Sequence, residues 1–170
     1  MQKLCHERYG LTSSSSKVDD RRMYVRVLWD IENIPIEKSI GALSTVSKLQ
    51  SFLEAKCLFG KGIDFQITAF GNVNNRKIRG ICEDLDKAGV EIVWSGRKRE
   101  DADRKLVKRL LQYVNELPCD RTSLIIISSD QDFRNEFQLA IGRGFDVTVL
   151  HNARTPRWTQ VMCLQRRKLA

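Results

Sequence analysis

Short apolar runs rich in β-branched residues alternate along this chain with longer stretches of helical periodicity, and that alternation limits the fold more than any other feature. The runs fall at residues 24–29, 64–70, 90–94, 123–128 and 146–150. Most are near-continuous rather than alternating, as expected of parallel strands covered on both faces. Between them, residues 36–58, 74–88, 101–117 and 132–143 carry helical spacing, closed in places by Gly89 and Gly144. Right-handed crossovers turn this order into an α/β fold: a doubly wound sheet of about five mainly parallel strands flanked by helices. Function in such a sheet gathers at the carboxyl ends of the strands, where the strand order reverses. A chain of 170 residues fits one domain and buries enough apolar surface to stand without metal or disulfide. The expected domain spans 23–170. Residues 1–22, with a serine tract at 13–16 and no apolar signal core, read as a flexible N-terminal tail.

Charge narrows the partners. Lys and Arg total 29 against 21 Asp and Glu, a formal net of +8. Such an excess draws a polyanion, nucleic acid above all, through phosphate contacts and counterion release, while also serving solubility. No apolar run reaches the length of a bilayer span, so no membrane partner is expected. The five cysteines are scattered, with no Cys-x-x-Cys pair and only His6 and His151 beside them, which speaks against zinc and against a disulfide framework. The expected compartment is intracellular, cytoplasmic by default, with organellar targeting left open. Neither a Gly-x-Gly-x-x-Gly turn after the first strand nor a Gly-x-x-x-x-Gly-Lys-Ser/Thr loop is present, which removes the main signatures of dinucleotide binding and P-loop hydrolysis.

What remains is acid. The first strand runs into Asp30-Ile31-Glu32-Asn33, and the fourth, through Ser128-Ser129, into Asp130-Gln131-Asp132-Phe133. One such cluster alone is explained by turn and cap preferences, with Asp132 as a helix N-cap. Two at the ends of strands that lie close at the switch point should converge. In the helix near 101–117, Leu106, Val107, Leu110, Val114 and Leu117 share a stripe, with Asp103 near its middle and Asp101 opposite. A carboxylate on an apolar face needs a positive or hydrogen-bonding partner, unless it stays wet as a first-turn acid favoured by the helix dipole. Asp30, Asp103 and Asp130, with Glu32, Asp101 and Asp132 nearby, form an all-oxygen set suited to Mg2+ or Mn2+. A metal there would polarise a phosphoryl group and activate water. Asn33 and Ser129 would orient water or backbone, although Asn33 is equally a turn residue before Pro35.

The segments Trp29-Asp30-Ile31-Glu32-Asn33, Asp101-Ala102-Asp103-Arg104-Lys105-Leu106 and Ser128-Ser129-Asp130-Gln131-Asp132-Phe133 together resemble the NYN domain of the PIN-like nuclease superfamily. The likeness is closest to limkain-type NYN domains of meiosis regulators and mRNA-stability factors, and continues in Gly144-Phe145-Asp146-Val147-Thr148-Val149-Leu150-His151. It covers roughly residues 23–165. The resemblance implies a Rossmann-like, PIN-like fold and divalent-metal-dependent endonucleolytic cleavage of single-stranded RNA, in RNA processing or mRNA decay. It implies catalytic roles for Asp30, Asn33, Asp103 and Asp130, with the metal on Asp30, Asp103 and Asp130; Asp132, with Glu32, is expected to support these acids from behind. Two departures stand out: Gly71 and Lys108-Arg109 occupy places where some relatives carry acids. The alternative is an RNA-binding or complex-forming module with weak or no catalysis; besides RNA, a protein complex or a homodimer is the partner considered. A Toprim-like or dehalogenase-like phosphotransfer fold ranks behind both.

An RNA track is expected at Arg76, Lys77 and Arg79 after the second strand, at Arg97, Lys98 and Arg99 before the acid-bearing helix, and at Arg154, Arg157 and Trp158 near the end. Asp101 with Lys105 also has the spacing of an ordinary surface ion pair. Thr155-Pro156 reads as a helix start, which would pack Trp158, Val161 and Met162 on the sheet in a last helix.

Overall fold

Parallel strands bury both faces, and the first does so along nearly its whole length. In the computed structural model of the protein, which describes residues 22–72, 74–96, 101–130, 132–151 and 161–163, β1 spans Met23–Asp30 and is buried from Val25 to Asp30. The chain continues through α1 (Ala42–Glu54), β2 (Ile63–Asn72), α2 (Arg76–Arg79), α3 (Cys82–Lys87), β3 (Val90–Ser95) and α4 (Asp101–Glu116). A short 3-10 turn leads to β4 (Thr122–Ile127), α5 (Arg134–Gly142), β5 (Asp146–Leu150) and β6 (Val161–Cys163). The sheet order is β3-β2-β1-β4-β5-β6. The first five strands run parallel and β6 pairs antiparallel with β5. The expected doubly wound α/β sheet is therefore present, and its switch point lies between β1 and β4, with Val27 beside both Ile67 and Ile125.

Alternation along β1 divides the interior into two cores. Val25, Val27 and Trp29 join Val46, Leu49 and Leu53 of α1 and Leu85 of α3. Leu28 faces the other way, with Leu106 and Leu110 of α4 and Phe137 of α5. Reversal of the strand order at β1 sends the later crossovers to this second face. Asp30, two residues beyond Leu28, shares its face.

Three local departures from the expected elements have physical causes. The first helix begins at Ala42 rather than 36, because Gly41 sits at φ 78°, outside right-handed helix space. The stretch 74–88 splits at Gly80 into α2 and α3, where glycine weakens helix continuation. Val161 and Met162, expected on a last helix, lie in β6, which satisfies backbone groups along the edge of β5. Thr155, Pro156 and Trp158 lie outside the described residues, as does the N-terminal tail apart from Arg22. Gly89 and Gly144 close their helices at φ 75° and 95°, in left-handed terminal turns. No helix among the described residues is long and apolar enough to cross a membrane.

Candidate active site at the carboxyl edge of the sheet

Side by side, β1 and β4 end in acid. Asp30 is only 3% exposed. Its Oδ1 accepts a hydrogen bond from the Asn33 backbone N–H at 3.1 Å, and its Oδ2 accepts one from the Ser128 hydroxyl at 2.9 Å. The same hydroxyl oxygen accepts the Asp130 N–H at 3.1 Å, while Asp130 Oδ1 accepts the Asp132 N–H at 2.9 Å. One serine thus joins the first and third acids of the expected trio, as neighbouring strands allow. Asp30 has no lysine or arginine partner among the described residues. Its two donors are neutral, so this buried carboxyl has hydrogen bonds without a countercharge.

Ser128 is the residue that sequence reasoning missed. Attention fell on Ser129, which is exposed, whereas Ser128 is 2% exposed and in position to bridge. The available signal was its phase: Leu124, Ile126 and Ser128 lie on the Leu28 and Asp30 face. Asn33 acts through its backbone in the turn after β1, where the Ile34 N–H also donates to Asp30 O at 3.0 Å; its side chain is exposed.

Asp103 and Asp132 meet a different space. Both line an open groove of about 700 Å3 between α4 and the start of α5, together with Arg104, Val107, Lys108 and Phe133. The buried stripe of α4 is Ala102, Leu106, Leu110, Tyr113 and Val114. Asp103 flanks this stripe, with Val107, rather than standing at its middle as expected. The stripe turns because small Ala102 and amphipathic Tyr113 take buried places. Asp132 is not a side-chain N-cap: the cap position of α5 is Phe133, without a side-chain cap bond. Asp101 accepts the Gly96 N–H and forms the expected pair with Lys105 at 3.5 Å. The Gly96 N–H, assisted by Lys105, holds its carboxyl below the usual range.

The two departures are also accounted for locally. At Gly71 an added Cβ would stand 2.9 Å from Ile78 Cδ1 and 3.0 Å from Ile31 Cγ2, so this strand end has no room for a side chain without movement. Arg109 points to β3, where its guanidinium donates to both Glu91 oxygens, at 3.1 and 2.9 Å. This contact holds the Glu91 carboxyl below its usual range and raises Arg109. Lys108 lines the groove. Glu32 Oε1 accepts the Asn72 N–H at 2.7 Å, tying the loop after β1 to the end of β2. Arg76 and Lys77 are exposed on α2; Arg97, Lys98, Arg99, Arg154 and Arg157 lie outside the described residues.

Among the described residues, no three His, Cys, Asp or Glu side chains are grouped closely enough to hold a metal ion. The carboxyls of Asp30, Asp103 and Asp130 therefore do not form a ready three-ligand cage. They are nevertheless hard oxygen donors, of the class that Mg2+ accepts one or two at a time, completing its shell with water and substrate phosphate.

A family model, the NYN domain, matches residues 24–163. Among curated proteins none matches the sequence significantly. A solved structure, a Vibrio parahaemolyticus protein of unknown function, is similar in fold at a TM-score of 0.55 and 18% identity. The similarity covers 79% of this chain and 85% of that one.

Proposed function

This chain belongs to the NYN domain family, generally ribonucleases, and from that premise we propose that it is a divalent-metal-dependent endoribonuclease acting on single-stranded RNA. The observation that carries the reading is the bridge Asp30–Ser128–Asp130, which brings acids from two distant segments to one strand edge. The limkain-type subfamily is part of the proposal, resting on the three acidic segments. Mg2+ or Mn2+, held by Asp30 and Asp130 with Asp103 toward the groove, would neutralise the scissile phosphate and supply an activated water. Ser128 holds the Asp30 carboxyl in one orientation. The Asn33 backbone N–H holds its other oxygen, so Asp30 enters the reaction already ordered. Asp132 faces the groove where substrate would pass.

A second reading is favoured by a specific observation. With no preformed three-ligand group among the described residues and Gly71 in place of an acid, the domain would bind RNA and cleave it feebly or not at all. Labelled single-stranded RNA, incubated with protein and Mn2+ or Mg2+, separates the two. The endonuclease predicts internal cuts that EDTA stops and that Asp30→Asn abolishes. Equal RNA binding by wild type and Asp30→Asn, with no cleavage by either under any divalent ion, selects the binding module.

A further inference from the structure

Beside the acidic edge stands a short element whose outer side is wholly basic. In α2, Ile78 is 3% exposed while Arg76, Lys77 and Arg79 are exposed, three cations within four residues. None of the three pairs with a carboxylate among the described residues. The turn is also firmly built. Asn75 Oδ1 accepts the Lys77 N–H at 3.1 Å, and Asn72 Oδ1 accepts the Asn74 N–H at 2.8 Å. Glu32 fastens Asn72, at the base of this turn, to the loop that follows Asp30.

What seats α2 is the bare Cα of Gly71. Ile78 lies so close that a methyl group there would meet it at 2.9 Å, well inside ordinary contact. The glycine thus lets the basic turn close onto the end of β2, one strand from Asp30 in the sheet. Cations without a carboxylate partner among the described residues, on a turn packed against Gly71 beside a strand edge that gathers acids, have the chemistry of a phosphate clamp: they attract a polyanion that the acids alone would repel.

We propose that α2, seated on Gly71 through Ile78, is a phosphate-binding clamp that holds the backbone of single-stranded RNA across the carboxyl edge of the sheet. The inference rests on the RNA-directed reading of the same edge but not on catalysis, and to the basic residues expected from the sequence it adds Gly71 and Ile78, which seat them. Arg76, Lys77 and Arg79 contact consecutive phosphates. Gly71 and Ile78 act as positioning residues, since neither touches the ligand.

The test is equilibrium binding of a labelled RNA oligonucleotide in EDTA, where cleavage cannot interfere, across a series of salt concentrations. Replacing Arg76, Lys77 and Arg79 together with alanine should weaken binding at least about tenfold and flatten the dependence of log K on log salt by about 2, since each phosphate contact on a single strand contributes roughly 0.7. Gly71→Ala keeps all three cations yet should weaken binding in the same direction. Adding Ile78→Val, which removes the nearer of the two atoms that the new methyl meets and leaves Ile31 Cγ2 at 3.0 Å, should restore part of it. Thermal melting identifies folded variants; the surface triple variant keeps the core intact and decides the matter even if Gly71→Ala unfolds. A triple variant with wild-type affinity and salt slope overturns the clamp while leaving the nuclease reading standing. A folded Gly71→Ala variant with unchanged affinity overturns the seating role. Absence of RNA binding by wild type overturns clamp and RNA-directed function together.

Discussion

Asp30 and Asp130 lie a hundred positions apart, and a hydroxyl between them serves both. Removing it leaves the Asp130 N–H and one oxygen of a buried carboxyl without their partner. Ser128→Ala should therefore lower unfolding stability by about 1–3 kcal/mol, the usual penalty of an unsatisfied buried polar group. Urea denaturation measures this; an unchanged midpoint would mean that the hydroxyl bears none of the burden. Asp30 and Asp130 stand out in the sequence because the first ends an apolar strand and the second lies two serines past the end of another. Ser128 does not, because a serine at a strand end signals equally a turn, a cap or a buried bridge, and only pairing with β1 decides among them. Asp103 was placed half correctly. Counting by hydropathy alone put it in the middle of a stripe that Ala102 and Tyr113 in fact complete.

At the scale of elements, α4 is tied to its surroundings by charged groups at two places along its length. At its first turn Asp101 takes the Gly96 N–H and Lys105 Nζ donates to Trp94 O at 2.6 Å. Two turns on, Arg109 grips Glu91 of β3, which also accepts from Thr68 and Gln66 of β2. Because the native Glu91 carboxyl is depressed, its contribution is complete above about pH 4.5 and is lost as pH falls through the lower native value. Arg109→Ala should remove that acid-side component. A double-mutant cycle with Glu91→Ala at neutral pH should give a coupling of about 0.2–1 kcal/mol, as for other partly exposed pairs. A cycle energy that does not shrink on acidification would refute the linkage. Strands were readable from sequence because burial on both faces writes a continuous apolar run. The division of α2 from α3 was only half legible, because Gly80 marks a weak point without saying that the helix breaks there, and β6 was not legible, because it depends on an open edge of β5.

For the molecule as a whole, the sheet is one wall with a core on either side. Leu53 of α1 and Leu106 of α4 are both buried, in different cores, yet each packs on strands that share backbone hydrogen bonds. Leu53→Ala and Leu106→Ala should each cost about 2–5 kcal/mol, as buried truncations do. Both should displace a single transition seen by circular dichroism and by tryptophan fluorescence alike. Two separable transitions would show instead that the layers melt independently. The strand order was within reach of sequence reasoning because right-handed crossovers leave few topologies for five alternating units. The spacing of the acids was not, since it depends on how α4 rotates against the sheet. The adjacency of β1 and β4 has one more consequence, in time rather than space. During synthesis the first of these strands emerges nearly a hundred residues ahead of its neighbour. Until that later segment leaves the ribosome, Asp30 has no Ser128 to meet, so the acidic edge closes only after β4 has been made.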